Sequence, residues 1–403
     1  MTQIAGSTLE DDLFGSAVIS PPHASGRPRV LHVLEAVSGG TLRHVLDLIR
    51  TVNGVEHHVA IPPAPTAAQW HASAAHAEPA KEIVNAGAAV HTVNMVRNPM
   101  SPMNMRQVWK LRKLIARLQP IAVHGHSAMG GAFARLAAAG RSVPVVYTPH
   151  GLATRRPILA AERVLAPLTD RVIAVSESEG ARALSLGLTT EERLVIIGNG
   201  IDLMPEGDAS FNLREFLELP ATTTIVGTVA RVVAQKAPED FVRVCAEVHE
   251  SRPDVHFVLV GSGELQGVLD AAVRSAGLQA HFHQIPYLVR ASAAVEQFDV
   301  FVLTSQFEGA AYTPLEAMRA SVPVVLTNVD GNRDTVQHGV SGLLYPFGAV
   351  AGLAGGVLSL LGNARLRDDL VAGARLQLKE RFDVHEMGAT TEALYMALRP
   401  AHV

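Results

Sequence analysis

Two glutamates, Glu308 and Glu316, stand eight residues apart on either side of a short loop. The apolar run 300–303 before the loop predicts a buried strand, and Thr313 followed by Pro314 predicts the N-cap and first residue of a helix after it. Two carboxylates would thus lie beside the free backbone N–H groups of a helix start. Such an arrangement suits a ligand that carries both hydroxyls and phosphates, as a nucleotide sugar does.

Each part of this motif also has a simpler interpretation. Thr313 and Glu316 have the spacing of a capping box, in which the glutamate only returns a hydrogen bond to the helix start. Glu308 and Gly309 could form an ordinary turn. Because short motifs of this kind have many false positives, neither glutamate establishes a ligand site by itself.

Two cations follow another predicted strand, residues 224–230. Arg231 stands at its end, and Lys236 lies five residues later, before a helix that begins near Pro238. Either residue alone would be an ordinary surface cation. Together, at the carboxyl end of a strand and facing the Glu308 loop, they could neutralise a departing diphosphate, since arginine offers a planar fork and lysine a point charge.

Paired glycines, Gly39 and Gly40, lie between the first predicted strand and a helix that begins near Thr41. Glycines at such a turn let a ligand approach backbone N–H groups at the positive end of the helix. The alternative is a tight connection that needs no ligand. A second glycine pair, Gly261 and Gly263, gives only a weak dinucleotide signal, because the third glycine of that motif is missing.

Histidines follow two predicted strands in the first half of the chain. His150 ends the run VPVVYTPH, at the carboxyl end of a strand, where open α/β sheets bind ligands; the alternative is a turn histidine bonded to backbone. His124 and His126 form a His-x-His pair that could offer two nitrogens on one face of a strand. No third Cys, Asp or His is placed to complete a metal site, so we expect no metal.

The composition is that of a globular protein of two domains. With 403 residues, 48% of them hydrophobic and 18% charged, the chain is too long for one core and too apolar for a disordered protein. A formal net charge of -4 gives no sign of a nucleic-acid binder. Cys245, the single cysteine, excludes an intramolecular disulfide, suits a reducing cytosol and is expected to be buried filler. With no leader or membrane-spanning run evident, we expect a soluble, cytoplasmic protein.

Continuous Val, Ile and Leu runs alternate with helical patterns, which predicts an α/β fold with parallel sheets covered on both faces. The predicted strands are 30–34, 58–61, 89–93, 121–124, 143–147, 172–175 and 194–197 in a first series, and 224–230, 256–260, 300–303 and 322–326 in a second, with helices from there to the end. The predicted divisions are a flexible tail at 1–28, a first Rossmann-like domain at 29–204, a linker at 205–221, a second Rossmann-like domain at 222–382 and a final helical segment at 383–403.

The order of motifs in the second half resembles the nucleotide-sugar site of the retaining GT-B glycosyltransferases, which include glycogen synthases, sucrose synthases and bacterial polysaccharide transferases. The matching residues are Glu308-Gly309, Glu316-Ala317-Met318 at the E-x7-E spacing, Pro323-Val324-Val325, Gly331-Asn332 and Gly339-x-x-Gly342. The resemblance covers nearly the whole chain after residue 29. Ser321, where glycine is common, and the loop 310–312, where proline is common, depart from the family pattern.

This resemblance implies a GT-B fold, in which two doubly wound domains face a cleft and the last helix crosses back to the first domain. It also implies roles for particular residues. Catalytic roles fall to His150, Arg231, Lys236 and Glu308. Donor-binding roles fall to Gly39, Gly40, Gly309, Ala310, Ala311, Tyr312, Thr313, Glu316 and Ile285, and weaker acceptor-side roles to His126 and Arg43. Glu308 would bind sugar hydroxyls, Glu316 the ribose hydroxyls, and His150 the transferred sugar and the diphosphate.

The implied reaction transfers a hexosyl unit from a nucleoside diphosphate sugar to a sugar or lipid-linked acceptor, with retention, in polysaccharide or glycolipid synthesis. Catalysis would be largely electrostatic, and a departing phosphate oxygen would take the acceptor proton. We expect no cofactor and no metal, since no Asp-x-Asp motif is present, and no nucleic-acid partner. Two alternatives remain: a GT-B nucleotide-sugar epimerase or hydrolase, and a noncatalytic sugar-nucleotide-binding subunit.

The stretch from Met105 to Leu118 predicts an amphipathic helix. Its apolar face carries Val108, Leu111, Ile115 and Leu118, and its other faces carry Arg106, Lys110, Arg112, Lys113 and Arg117. Such a helix usually packs its apolar face on the core and leaves its charges in water. The alternative is a peripheral contact with anionic lipid on the inner face of the membrane.

Overall fold

Two parallel β-sheets, one in each half of the chain, alternate with helices along the sequence. A computed structural model describes residues 26–63, 79–96, 101–152, 156–204, 211–288 and 291–398. Residues 1–25 of the predicted tail and residues 205–210 of the predicted linker lie outside this description.

The first sheet has seven parallel strands. They are β1 (Arg29–Leu34), β2 (Glu56–Ile61), β3 (Ala89–Thr92), β4 (Ala122–His126), β5 (Val145–Thr148), β6 (Arg171–Ala174) and β7 (Leu194–Ile196). Their order in the sheet is β3-β2-β1-β4-β5-β6-β7. The chain therefore reverses its winding direction between β1 and β4, and the carboxyl ends of these two strands flank a crevice of the kind that binds ligands.

The second sheet repeats this plan with six strands. They are β8 (Ile225–Val229), β9 (His256–Val260), β10 (Phe282–Ile285), β11 (Val300–Leu303), β12 (Val324–Thr327) and β13 (Leu343–Tyr345). The order is β10-β9-β8-β11-β12-β13, so the switch point lies between β8 and β11. These are the two strands that precede Arg231 and Glu308, which places both residues at one crevice.

Fifteen helices are described. They are α1 (Gly39–Thr51), α2 (Pro79–Asn85), α3 (Pro102–Leu118), α4 (Ser127–Ala138), α5 (Arg156–Leu165), α6 (Glu177–Ser185), α7 (Leu213–Phe216), α8 (Pro238–Ser251), α9 (Gln266–Ser275), α10 (Ala291–Val295), α11 (Tyr312–Arg319), α12 (Asn332–Thr335), α13 (Val350–Gly362), α14 (Ala364–Arg381) and α15 (Val384–Ala397), with 3₁₀ turns at Ala166–Leu168 and Ala234–Lys236. Among the described residues, none of these helices is both long enough and apolar enough to cross a bilayer.

Periodic apolar residues fasten the helices to the sheets. In α8, four residues recur at helical spacing and are all buried in the hydrophobic core of the second domain: Phe241, Val244, Cys245 and Val248. Cys245 is a free, fully buried thiol, which confirms its predicted role as core filler. In α3, Leu111, Ile115 and Leu118 are buried as predicted and Leu114 joins them, while Val108 is only partly buried.

The structure contains two strands, β10 and β13, that were not predicted. The prediction that only helices follow residue 326 was therefore wrong, since β13 lies there. Both β10 and β13 are edge strands of the second sheet. Strand β10 contains the polar residues His283 and Gln284, and β13 is only three residues long. An edge strand is covered on fewer sides than a central one, so it does not need the continuous apolar run by which the other strands were recognised.

The start of α11 also differs from the prediction that Thr313 is its N-cap. Ala311 is the N-cap residue, with extended backbone, and Tyr312 is the first helical residue. Thr313 therefore lies inside the first turn, and the N-cap residue Ala311 makes no side-chain hydrogen bond to the helix. Pro314 still fits this start, because the first turn of a helix has no intrahelical partner for its N–H groups.

The last helix crosses back to the first domain, as the resemblance implied. Asp383 caps α15 by accepting a hydrogen bond from His385 N, and Ile201 bridges to Asp383 just before the helix. Tyr395 is fully buried in the first domain, where its hydroxyl lies 2.6 Å from His124 Nδ1. Within the predicted linker 205–221, helix α7 buries Leu213 in the core of the second domain.

Replacing Tyr395 should therefore destabilise the fold, although only eight residues of the given sequence follow it. We expect Tyr395→Ala to lower the free energy of unfolding by about 3–5 kcal/mol through loss of a buried aromatic ring. Tyr395→Phe should cost about 1–3 kcal/mol, because His124 Nδ1 loses its partner. Thermal or denaturant unfolding measures both, with Leu376→Ala, a change at an exposed residue of α14, as the control. Equal stability of Tyr395→Ala and the control would contradict a docked final helix.

Candidate active site

The centre of the site is an ion pair between Lys236 and Glu308. Lys236 ends the 3₁₀ turn after β8, and Glu308 lies in the loop after β11, so the pair spans the switch point of the second sheet. Lys236 Nζ lies 2.5 Å from Glu308 Oε1, and only 13% and 6% of the two side chains are exposed. The structure thus brings together two of the residues assigned catalytic roles from the sequence.

Hydrogen bonds between the loops after β8 and β11 hold this ion pair in place. Thr304, at the end of β11, can donate its hydroxyl to the carbonyl oxygens of Lys236 at 3.0 Å and Ala237 at 3.1 Å. Gln235 Nε2 donates to the Phe307 carbonyl at 2.9 Å. The position of the ammonium group relative to the carboxylate is therefore fixed by backbone contacts as well as by the ion pair.

The loop after Glu308 lies against the first domain. Tyr312, buried at the start of α11, has its ring 3.6 Å from where a Cβ on Gly40 would stand and its hydroxyl 3.5 Å from His44 Nδ1. Asn199 Nδ2 donates to the Ala310 carbonyl at 2.8 Å. The positive end of α11 is thus directed into the cleft between the domains, with the first helix of the other domain beside it.

Glycines let the backbones of the two domains touch. A Cβ on Gly309 would lie 2.8 Å from the nitrogen of Gly151, and a Cβ on Gly331 would lie 2.5 Å from the Gly309 carbonyl oxygen. Gly331 also has a φ of 80°, a conformation that other residues rarely adopt. A side chain at position 309 would push the Glu308 loop away from the His150 loop, and one at position 331 would push the Glu308 loop away from the loop after β12.

His150 occupies a constrained turn after β5. Its φ of 56° lies in the left-handed region, which costs a residue with a side chain about 1–2 kcal/mol. Glu179 holds the turn: its carboxylate accepts from Gly151 N at 2.5 Å and from Val175 N at 2.9 Å. Burial raises the pKa of Glu179, against the opposing effect of these two hydrogen bonds.

His150 and four other histidines of the first domain, His32, His44, His124 and His126, form a cluster at this turn. His150 Nε2 lies 3.1 Å from His126 Nδ1, and His126 Nε2 lies 3.1 Å from His32 Nδ1. The ring of His44 stands 4.7 Å from that of His150, centroid to centroid. Burial, reinforced by neighbouring histidines, holds the pKa values of His32, His124, His126 and His150 well below their usual range, and burial lowers that of His44 to about 4. All five are therefore neutral at pH 7.

In the part of the chain that the structure describes, two groups of three histidines bring ring nitrogens within 4.8 Å of one another: His32 with His124 and His126, and His44 with His126 and His150. In the first group every ring nitrogen already has a hydrogen-bond partner within the protein. In the second group both nitrogens of His126 are engaged. A metal ion would have to break these bonds, so the geometry does not favour one.

The remaining predicted residues lie on elements of both domains. Arg231 is exposed at the end of β8, Glu316 is half-buried in α11, and Gly39 begins α1 with a φ of 64°. Ile285 ends β10, and its carbonyl accepts from Gly261 N at 2.8 Å. Arg43, in α1, directs Nε to both carboxylate oxygens of Asp47, at 2.9 and 3.0 Å.

Several residues near His150 were not singled out from the sequence: Glu179, His44, His32 and His57. Glu179 carried a usable signal, since Ser176 and Glu179 follow a predicted strand with the spacing of a capping box, and Ser176 does accept from Glu179 N. The histidines carried none, because an isolated histidine in an apolar run looks like any buried polar residue.

Comparisons with known proteins identify the family. A family model described as Glycosyl transferases group 1 matches residues 210–377, and one described as Glycosyltransferase Family 4 matches residues 38–204. The chain is 30% identical over 271 residues to the UDP-Gal:alpha-D-GlcNAc-diphosphoundecaprenol alpha-1,3-galactosyltransferase of Escherichia coli, covering 62% of this chain and 68% of that relative. It is 25% identical over 394 residues to the glycogen synthase of Mycobacterium tuberculosis, covering 90% of this chain and 92% of that enzyme.

Solved structures show the same fold. HepE of Anabaena, crystallised with UDP and glucose, matches with a TM-score of 0.78 at 19% identity, over 92% of this chain and all 100% of that one. Sucrose-phosphate synthase of Thermosynechococcus elongatus matches with a TM-score of 0.75, over 92% of this chain and 99% of that one. With two facing parallel sheets, a returning final helix and these relatives, the chain belongs to the group 1 glycosyltransferases and has their GT-B fold.

Proposed function

We propose that this glycosyltransferase moves a hexosyl unit from a nucleoside diphosphate sugar to an acceptor hydroxyl with retention, in polysaccharide or glycolipid synthesis. The observation that carries the proposal is the buried Lys236–Glu308 ion pair at the second switch point, beside the start of α11. A cation, a carboxylate and free helical N–H groups at one crevice match the phosphates and hydroxyls of such a donor.

The charges suggest a division of roles. Lys236 and Arg231 neutralise the diphosphate as it departs, together with the N–H groups of residues 309–312. Glu308 accepts hydrogen bonds from sugar hydroxyls, and Glu316 from those of the ribose. A phosphate oxygen takes the proton of the acceptor, so no protein base is required. Relatives support the class of substrate: the galactosyltransferase of Escherichia coli is named for a UDP-sugar donor and a diphosphoundecaprenol-linked acceptor.

The test is donor turnover by the purified protein with a panel of UDP, GDP and ADP sugars, with and without sugar and lipid-linked acceptors. We expect one donor to release its nucleotide faster when an acceptor is present, and NMR of the product to show the anomeric configuration of the donor. Release that no acceptor stimulates would favour the hydrolase or epimerase alternative. Binding without any release would favour the noncatalytic subunit, and an inverted product would contradict retention.

The variants Glu308→Gln and Lys236→Ala should each lower this turnover by about a hundredfold or more, because each removes a charge that the transition state uses. Each also leaves its partner buried without an opposite charge, which costs stability. Unfolding is therefore measured alongside, and rates are compared at a temperature where both variants are folded. Arg243→Ala removes an exposed cation of α8 and is the matched control. Full activity in either site variant would contradict the proposed roles.

We propose further that the reaction needs no metal, because Lys236 and Arg231 supply the positive charge near the diphosphate. Turnover should be unchanged after dialysis against EDTA, since Glu308, the carboxylate seen beside Lys236, is already paired with that ammonium group. Nucleotide release before and after chelation measures this. Activity that disappears with EDTA and returns with Mg²⁺ or Mn²⁺ would overturn this part of the proposal.

We propose that the enzyme lies on the inner face of the membrane and contacts anionic lipid through α3. Met103, Met105 and Trp109 are exposed on this helix at 46%, 70% and 52%. Lys113 Nζ stands 3.5 Å from the centre of the Trp109 ring. The helix contains five Lys or Arg residues and no Asp or Glu. Apolar side chains beside cations are the composition of helices that lie in an anionic interface.

Cosedimentation with vesicles tests this contact. We expect binding to vesicles rich in phosphatidylglycerol, weak binding to phosphatidylcholine alone, and loss of binding in Met105→Ser/Trp109→Ser, because the inserted apolar area is removed. Leu376→Ser, at an exposed residue of α14 in the second domain, is the matched control. Equal binding by the double variant and the control would exclude α3 as the contact.

A further inference from the structure

We propose that His57, His32 and His126 are positioning residues that fix His150 as the tautomer with a proton on Nε2 and none on Nδ1. His150 then accepts a hydrogen bond from a hydroxyl of the bound sugar and cannot donate one to a phosphate. The proposal rests on the proposed function, because the hydroxyl is that of the donor sugar in the cleft.

The four histidines form one hydrogen-bonded row across the centre of the first sheet. His57 lies on β2, His32 on β1 and His126 on β4, and His150 follows β5, so four adjacent strands contribute one ring each. The strand registers pair His57 with Val30, His32 with His124 and His126 with Thr148. Each step therefore moves two residues toward the carboxyl edge, which keeps every ring on the same face of the sheet.

The spacing of the rings follows from the spacing of the strands. Neighbouring strands lie about 4.8 Å apart, and two imidazoles at that separation can join through one N–H···N hydrogen bond. Here the ring centroids are 5.3, 5.3 and 5.4 Å apart along the row. The nitrogens meet at 3.0 Å between His57 and His32 and at 3.1 Å in the other two contacts. We call this row of four rings the histidine relay.

A single backbone carbonyl sets the direction of the relay. His57 Nε2 lies 2.9 Å from the carbonyl oxygen of Val52, which can only accept, so His57 carries its proton on Nε2. His57 Nδ1 must then accept from His32 Nε2. By the same step His32 Nδ1 accepts from His126 Nε2, and His126 Nδ1 accepts from His150 Nε2. Nδ1 of His150 is left without a proton.

This deduction holds because every ring is neutral. A charged imidazolium would donate from both nitrogens and break the sequence of donors and acceptors. Burial keeps the pKa of His57 at about 4 and those of the other three well below the usual range. The opposite direction, with every proton on Nδ1, would set a bare Nε2 of His57 against the carbonyl of Val52, where two lone pairs repel.

An independent chain of contacts leaves a second bare nitrogen beside His150. The Ala310 carbonyl accepts from Asn199 Nδ2, which fixes the orientation of that amide. Asn199 Oδ1 lies 3.1 Å from His44 Nδ1 and can only accept, so His44 carries its proton on Nδ1 and none on Nε2. Two adjacent rings at the cleft thus present acceptors, which matches a ligand group rich in hydroxyl donors rather than a phosphate.

The relay is tested first by ¹⁵N NMR of the side chains in the ligand-free protein, since protonated and bare ring nitrogens give distinct resonances. His150→Gln assigns the resonances of His150. We expect His57, His32, His126 and His150 all to carry the proton on Nε2. In His57→Phe, His32 loses its acceptor, so His32 and His126 should populate both tautomers. A proton on Nδ1 of His150 in the wild-type protein would overturn the proposal whatever the enzyme does.

Kinetics decide whether the relay matters for turnover. His57→Phe should lower kcat about tenfold, the loss of about one oriented hydrogen bond, with less change in KM for the donor. His57→Gln should recover most of the rate, because a glutamine amide can donate to Val52 and accept from His32. His91→Phe is the matched control: His91 is equally buried in the same sheet but bonds to His58, outside the relay.

The outcomes separate the relay from the enzyme's identity. A His57→Phe variant with mixed tautomers and an unchanged kcat would overturn the positioning role. A rate loss of the same size in His91→Phe would do so too, because it would trace the effect to stability. Absence of donor turnover in the wild-type protein would count against the proposed function, while the spectra would still decide the direction of the relay.

Discussion

The buried ion pair of Lys236 and Glu308 is the interaction on which the geometry of the cleft depends. Each charge is tolerated away from water only because the other lies 2.5 Å from it, so the loops after β8 and β11 must stay together. Two apolar side chains would hold the same loops without the cost of removing charge from water. The pair is therefore better explained by what a ligand needs than by what the fold needs.

The parallel sheets explain why charges and neutral acceptors meet at one place. In both sheets the chain reverses direction between two central strands, and loops from those strands carry the polar residues. The GT-B arrangement turns the two carboxyl edges toward each other. Gly309 and Gly151 then allow backbone contact across the cleft, so groups from both domains come within reach of one small ligand.

Much of the fold could be predicted from the sequence, because central strands of a parallel sheet are buried on both faces and must be continuously apolar. Edge strands β10 and β13 escape this requirement, and the prediction missed both. At the site, motif spacing located Glu308, Lys236 and His150 but could not pair them, since 72 residues separate the ion pair. The histidine relay could not be predicted from the sequence. Its contacts join residues 25, 94 and 24 positions apart, and only the strand order makes those residues neighbours.

In the proposed reaction, the two domains would offer the donor sugar different surroundings, and this difference would orient it. The second domain holds Lys236, Arg231 and the positive end of α11, which would favour the proposed diphosphate. The first domain holds buried, neutral histidines, which would gain little from a phosphate but can accept from hydroxyls. A nucleotide sugar that satisfies both sides must place its diphosphate against the second domain and its hexose toward the first. The bond between hexose and diphosphate then lies at the boundary, where the electrostatic environment changes most sharply and where the leaving group separates from the sugar.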